Sequence, residues 1–253
     1  YDDTNTKTIE QPQYIDKGEV TKNVFNPESR VLEINSKSGL YPLYVTYSIY
    51  RSRLAAEQQL YDGELSREQT LALWDMTARD NLFVICKTRM AKSITKRTLV
   101  GFRNAKVNTR YFEDLINQIT NKSQLFIEKV RNGKTYWKVN NDECMKFNAI
   151  VGNPPYQVMD GGTDRGAMPV YQNFVEIAKK LNPQLISMIM PARWYAGGRG
   201  LIQFRNTMLN DNHMIKLFDF ESSKDLFPTV DIAGGICYFL WNKNHTGLCT
   251  IYN

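Results

Sequence analysis

An apolar run, Phe147-Asn148-Ala149-Ile150-Val151-Gly152, stops at Asn153-Pro154-Pro155-Tyr156, and this junction constrains the fold more than any other stretch of the chain. A β-branched run of that length reads as a buried strand. Two successive prolines hold φ near about −65° and supply no N–H, so neither a helix nor a sheet ladder continues through them. The strand therefore ends in a stiff loop whose carbonyls are free to accept. The Asn153 side-chain oxygen and the Pro154 carbonyl can both accept from one exocyclic amino group. The Tyr156 ring offers a face for a planar group to stack on. Such a loop suits a planar amide or aromatic amine that attacks as a nucleophile.

Around this junction, apolar runs alternate with helical patterns, which predicts an α/β fold with a mixed, mostly parallel sheet and helices on both faces. Strands are expected at 31–34, 82–86, 185–190, 215–220 and 235–241. Helices are expected at 44–59, 66–79, 90–99, 111–119, 170–181 and 201–209, with Ser66 and Gln69 forming a capping box for the second. Segments 125–130 and 135–139, around Asn132-Gly133, read as a β-hairpin. At 253 residues, one large domain fits better than two.

Composition narrows the class. The chain lacks an apolar stretch near the ~18 residues of a membrane span, and its polar, acidic first thirty residues do not read as a secretory signal. A cytoplasmic, bacterial protein is the expectation. Cys86, Cys144, Cys237 and Cys249 are scattered without metal-ligand spacing, so they read as reduced, mostly buried residues rather than a disulfide frame or a metal site. Charge is uneven. Residues 81–138 carry 13 Lys/Arg against 3 Asp/Glu, whereas residues 1–80 carry 9 against 13. A basic block of this kind points to a phosphate backbone as partner.

Asn153-Pro154-Pro155-Tyr156 resembles the catalytic loop of S-adenosylmethionine-dependent amino methyltransferases, above all the N6-adenine DNA methyltransferases of the gamma type. The resemblance implies a Rossmann-like methyltransferase fold, with S-adenosylmethionine as cofactor and double-stranded DNA as partner. In that family the amino group is held by the Asn and the proline carbonyl, and the aromatic residue stacks on a flipped-out base. Residues 31–41 occupy the place of the cofactor loop. There Glu33 stands in for the usual aspartate, Ile34 for proline and Lys37 for the first glycine, while Ser36, Ser38 and Gly39 form the turn. Upstream, Gln11-Pro12-Gln13-Tyr14-Ile15 resembles the motif that covers the cofactor, with Pro12 at the contact. Cys86 falls where the family has an acid for the ribose hydroxyls, and a thiol cannot replace a bidentate carboxylate. Asp142 is placed to contact the cofactor's adenine ring.

On the target side, the resemblance assigns Phe227 to packing against the extruded base. Arg193 and Arg199 stand near a strand C-terminus, where open α/β sheets place ligands, and are expected at phosphates. The order of motifs is closest to the methylase part of fused type II (type IIG-like) restriction–modification enzymes. Residues 1–253 are accordingly expected to form a single methyltransferase catalytic domain. A target-recognition domain is expected beyond 253, with any nuclease or helicase elsewhere in the same longer chain. Two alternatives remain open: a protein-glutamine or RNA amino methyltransferase, whose members are usually compact and lack the 101–147 insertion, and a catalytically silent DNA-binding remnant, suggested by Lys37 and Cys86.

Overall fold

The computed structural model describes residues 19–60, 64–139, 144–158, 167–198, 200–229 and 231–253. After a short helix α1 (Glu19–Val24), strand β1 (Val31–Ser36) leads into α2 (Leu40–Leu60), followed by α3 (Arg67–Asp80), β2 (Leu82–Cys86), α4 (Arg89–Val100) and β3 (Asn108–Tyr111). Helices α5 (Leu115–Asn121) and α6 (Ser123–Arg131) and a π-helical turn (Gly133–Trp137) precede β4 (Ala149–Gly152). A small ribbon of β5 (Gln157–Val158) and β6 (Met168–Pro169) then leads to α7 (Tyr171–Lys180), β7 (Leu185–Pro191) and a 3₁₀ turn (Ala192–Ala196). The chain closes with α8 (Ile202–Leu209), β8 (Met214–Phe220), a 3₁₀ turn (Ser223–Asp225), β9 (Ile236–Asn242) and β10 (Thr250–Tyr252).

Eight strands form one sheet in the order β10-β8-β9-β7-β4-β1-β2-β3. Only β9 runs antiparallel, to β7 and β8; the other pairs are parallel. Alternate residues face opposite layers. Val31, Leu82, Ala149 and Leu185 pack with Val45 and Ile49 of α2. Leu32, Ile34, Phe83, Ile85, Ile150 and Ile186 pack in the larger core with residues of α5, α6 and α7. Each large apolar side chain buried this way contributes about 1.5–3 kcal/mol. Both faces of the sheet centre are covered, which is why β2 is apolar throughout and every residue of β1 is buried, Glu33, Asn35 and Ser36 included.

Local chemistry sets the element ends. Ser66 and Gln69 form the expected capping box on α3. The expected hairpin is not formed: 123–131 is helical and 133–137 a π turn. Phe126, Ile127 and Val130 are buried together on one face of α6, a helical spacing that outweighs the Asn132-Gly133 signal. Asn132 has φ −85°, not the left-handed value a two-residue hairpin needs, and its side chain accepts from the Thr135 N–H. The helix expected at 111–119 starts later, because Asn108–Tyr111 pairs with β2 as an edge strand. Strand β10 lies outside β8 and was not signalled, since its three residues are all exposed. Cys86 and Cys237 are buried as expected, whereas Cys144 is exposed.

Candidate active site

The C-terminal ends of β1, β2 and β4 converge, and residue choice makes the convergence tight. A Cβ at Gly152 would lie 2.8 Å from the Ile34 carbonyl oxygen, so a side chain there would push β1 and β4 apart. Directly after Gly152, Asn35 donates from Nδ2 to the Asn153 carbonyl at 2.8 Å. Asn35 itself has φ +78°, a conformation that asparagine tolerates better than most side chains. The two loops are thus tied by one buried amide, a link invisible in the sequence because the partners lie 118 positions apart. The other end of the 153–156 loop is fixed too. The Tyr156 carbonyl accepts from the Val170 N–H at 3.2 Å, and β5 pairs with β6 through Gln157 opposite Pro169. Burial, with Tyr41 and Cys237 nearby, pushes the Tyr156 phenol above its ordinary range, so the ring stays neutral.

Glu33 is the most perturbed carboxyl in this region. It is 3% exposed, and Oε2 finds no hydrogen-bond partner among the described residues. Burial raises its pKa to about 7, partly offset by a hydrogen bond from Ser36. Tyr41, in the first turn of α2, feels the Glu33 charge. The Ser36–Gly39 turn rests on α4 in place of a run of glycines. Ser36 Oγ lies 3.3 Å from Thr95 Oγ1, and Thr98 Oγ1 donates to the Ser38 carbonyl at 2.7 Å. Gly39 has φ +80°, and a Cβ there would meet Thr95 Cα at 2.9 Å. Sequence reasoning missed Thr95 and Thr98; their spacing to the turn gives no local signal.

Cys86 pairs with Ser36 across β1 and β2, and its Sγ is 3.8 Å from Thr95 Oγ1. Burial pushes this thiol up to about 11, with Glu33 contributing. Glu33, on the neighbouring strand, acts on Cys86 through its charge alone. Beyond Cys86 the surroundings are cationic. Lys92 sits over the Tyr111 ring at 5.7 Å, and burial, with Arg110 and Lys96, lowers its pKa. Lys37 is exposed.

On the other side of the catalytic loop lies a cavity of about 830 Å³, lined among others by Tyr156, Tyr171, Arg193, Tyr195 and Asp231. Arg193 crosses Gly234, where φ is +86° and a Cβ would lie 2.9 Å from Arg193 Cγ. Gly235 is needed for a similar reason, since a Cβ would collide with the Phe220 carbonyl oxygen. The Gly-Gly pair before β9 thus leaves room for the Arg193 side chain at Gly234 and for the Phe220 backbone at Gly235. Tyr195 Oη is 3.2 Å from Asp219 Oδ1, and Arg205 Nε donates to the Tyr195 carbonyl at 2.6 Å, fixing that wall. Phe227 is half-buried and is not among the described residues lining this cavity. The structure brings Asn153, Pro154, Pro155, Tyr156, Glu33, Ser36, Ser38 and Gly39 to one end of the sheet, with Arg193 in the adjoining cavity. Pro12, Asp142 and Arg199 lie outside the described residues.

A sequence profile of the Eco57I restriction-modification methylase family matches residues 80–227, more than half of the chain and inclusive of the catalytic loop. The chain belongs to this family. An uncharacterized adenine-specific methylase of Mycoplasma pneumoniae is 42% identical over 117 residues, covering 45% of this chain and 28% of that relative; the chain thus spans well under two thirds of the curated relative's length. The fold also matches solved structures. The M protein of the type I restriction enzyme EcoKI aligns with a TM-score of 0.52 and 11% identity over 95% of this chain and 48% of its own. A nuclease-deletion mutant of the type ISP restriction-modification enzyme LlaGI, in complex with a DNA substrate mimic, aligns at 0.55 and 10% over 89% and 21%. At such identities the likeness is one of fold: a mixed α/β fold with a large, mostly parallel sheet.

In this member of the Eco57I family the loop expected to bind the cofactor lies upstream of the matched region, so the fit of S-adenosylmethionine is judged on the site itself. An orphaned, buried carboxylate oxygen beside a serine-rich turn suits a cationic ammonium group. The amino-acid end of the cofactor fits. At the end of β2, where the resemblance expects a carboxylate for the ribose, stand the Cys86 thiol, the Thr95 hydroxyl and Lys92. Among the described residues, no helix is long and apolar enough to cross a membrane.

Proposed function

We propose that this chain is the catalytic domain of a site-specific DNA adenine-N6 methyltransferase of a restriction–modification system. The observation that carries the reading is the Asn153-Pro154-Pro155-Tyr156 loop, held between Asn35 and Val170 at the mouth of an aromatic-lined cavity. Asn153 and the Pro154 carbonyl hold the target amino group as acceptors, which directs its lone pair outward. Tyr156 stacks on the base after extrusion from the duplex, a step costing a few kcal/mol. A general base of shifted pKa is not required, and rate comes largely from positioning. Glu33, Ser36, Ser38 and Gly39 hold the amino-acid end of S-adenosylmethionine, which supplies the methyl group as an electrophile. Residues 1–253 act as one catalytic domain, and sequence recognition is supplied by other parts of the natural polypeptide, together with any nuclease or helicase. The basic block and Arg193 contact DNA phosphates, so binding by this domain weakens steeply as salt rises. A cytoplasmic setting follows from this partner.

The test is to express the full natural polypeptide in a bacterial host free of adenine methylation and to analyse its DNA nucleosides. N6-methyldeoxyadenosine is the expected product; its absence, with N4-methyldeoxycytidine in its place, sinks the reading. A second reading, a silent DNA-binding remnant, is favoured by one observation: Cys86 and Lys92 where a ribose-binding acid is expected. Calorimetric titration with S-adenosylmethionine separates the two, since a remnant shows no binding even at roughly millimolar cofactor.

A further inference from the structure

Tyr171, the first residue of α7, is 2% exposed, and its Oη has no hydrogen-bond partner among the described residues. Buried tyrosine hydroxyls ordinarily find a partner, and an unmet one costs free energy. Tyr171 lines the same cavity as Tyr156 and Arg193. Its placement relative to the catalytic loop is fixed by the backbone: Val170, one residue earlier, donates to the Tyr156 carbonyl, and Pro169 pairs with Gln157. Its ring packs edge-on against Phe204, with centroids 6.2 Å apart, so the hydroxyl is held rather than free to swing. Burial holds the phenol protonated, which makes it a donor. An adenine whose amino group is engaged by Asn153 and Pro154 still presents N1, N3 and N7, and each of these only accepts.

We infer that Tyr171 is a specificity-determining residue for the target base, its Oη donating a hydrogen bond to one ring nitrogen of the extruded adenine. The inference rests on the methyltransferase reading and adds a residue to it. A site built to donate to a particular nitrogen discriminates against bases that lack it, because the buried hydroxyl is then left unmet.

The experiment uses the full natural polypeptide and its recognition site, read from where N6-methyladenine falls in the DNA of an expressing host. Duplexes carry adenine, 1-deazaadenine, 3-deazaadenine or 7-deazaadenine at the target position, each analogue replacing one nitrogen by C–H. Wild type and Tyr171→Phe, which keeps the ring against Phe204, are compared by kcat/KM. The variant should lose about 10-fold on adenine. One analogue should cost the wild type the same factor and cost the variant nothing further. A variant within about twofold of wild type on adenine overturns the inference, as does additivity of the losses with all three analogues. Were Tyr171→Phe to misfold, the wild type alone decides: indifference to all three analogues overturns the assignment. If wild type transfers no methyl to adenine duplexes, the methyltransferase reading itself falls, an outcome distinct from intact transfer with a flat cycle.

Discussion

Asn153, Pro154, Pro155 and Tyr156 follow one another in the chain, whereas the groups that seat Ser36, Ser38 and Gly39 come from β2 and α4, up to 60 positions away. The two loops end adjacent parallel strands, β4 and β1, and share a hydrogen bond. The target side keeps its chemistry in a contiguous, proline-stiffened motif. On the side proposed to hold the cofactor, the turn rests on one glycine and two threonines of α4. Positional chemistry that depends on backbone carbonyls tolerates little rebuilding; a turn that must only present N–H groups and leave room can be supported from outside. Four substitutions probe that contrast.

The largest effect belongs to the target side. Asn153→Ala should reduce methyl transfer by roughly 10³-fold while leaving the melting temperature and S-adenosylmethionine affinity close to wild type. Equal loss of cofactor binding would show that the two loops are not separable.

Next comes Glu33. Its pKa in the fold is about 7 against an ordinary 4.5, so the folded state binds the extra proton more tightly than the unfolded chain. This contribution to stability is full below about pH 4.5 and is lost as pH rises through 7. The loss is on the order of 3 kcal/mol relative to Glu33→Gln. Urea unfolding of the ligand-free pair across that range measures it, and parallel pH curves would contradict the assignment. A cationic ligand favours the ionised carboxylate, so S-adenosylmethionine affinity should rise between about pH 6 and 8 in wild type and stay flat in the variant.

Gly39→Ala combines a strained φ with contact against Thr95 and should cost about 1–3 kcal/mol, together with weaker cofactor binding. A neutral result in thermal unfolding would mean that α4 yields and does not brace the turn. The smallest effect is expected of Asn35→Ala. Losing its bond to the Asn153 carbonyl should cost about 1 kcal/mol and lower kcat several-fold with little change in KM for cofactor. A change confined to cofactor KM would place Asn35 on the wrong side of the comparison.

What was legible in the sequence follows the same division. Strand 82–86 and the capping box at Ser66 emerged as read, because contiguous apolar runs and local caps are short-range signals. The end of β4 at Asn153-Pro154-Pro155-Tyr156 was legible because proline chemistry is local. The mistaken hairpin arose where a turn dipeptide competed with a helical face whose partners, such as Phe112 against Phe126, lie in another element. Asn35, Thr95 and Thr98 were missed because their roles exist only across the fold. The effect of the Glu33 charge on Cys86 was invisible for the same reason.

The most direct test of the central claim is methyl transfer in vitro from labelled S-adenosylmethionine to unmodified DNA, with the full natural polypeptide and its Asn153→Ala variant side by side and the products digested to nucleosides. The account predicts label on the N6 of deoxyadenosine in the wild type and background counts in the variant. Label on another nucleoside, or equal labelling by both proteins, would contradict it.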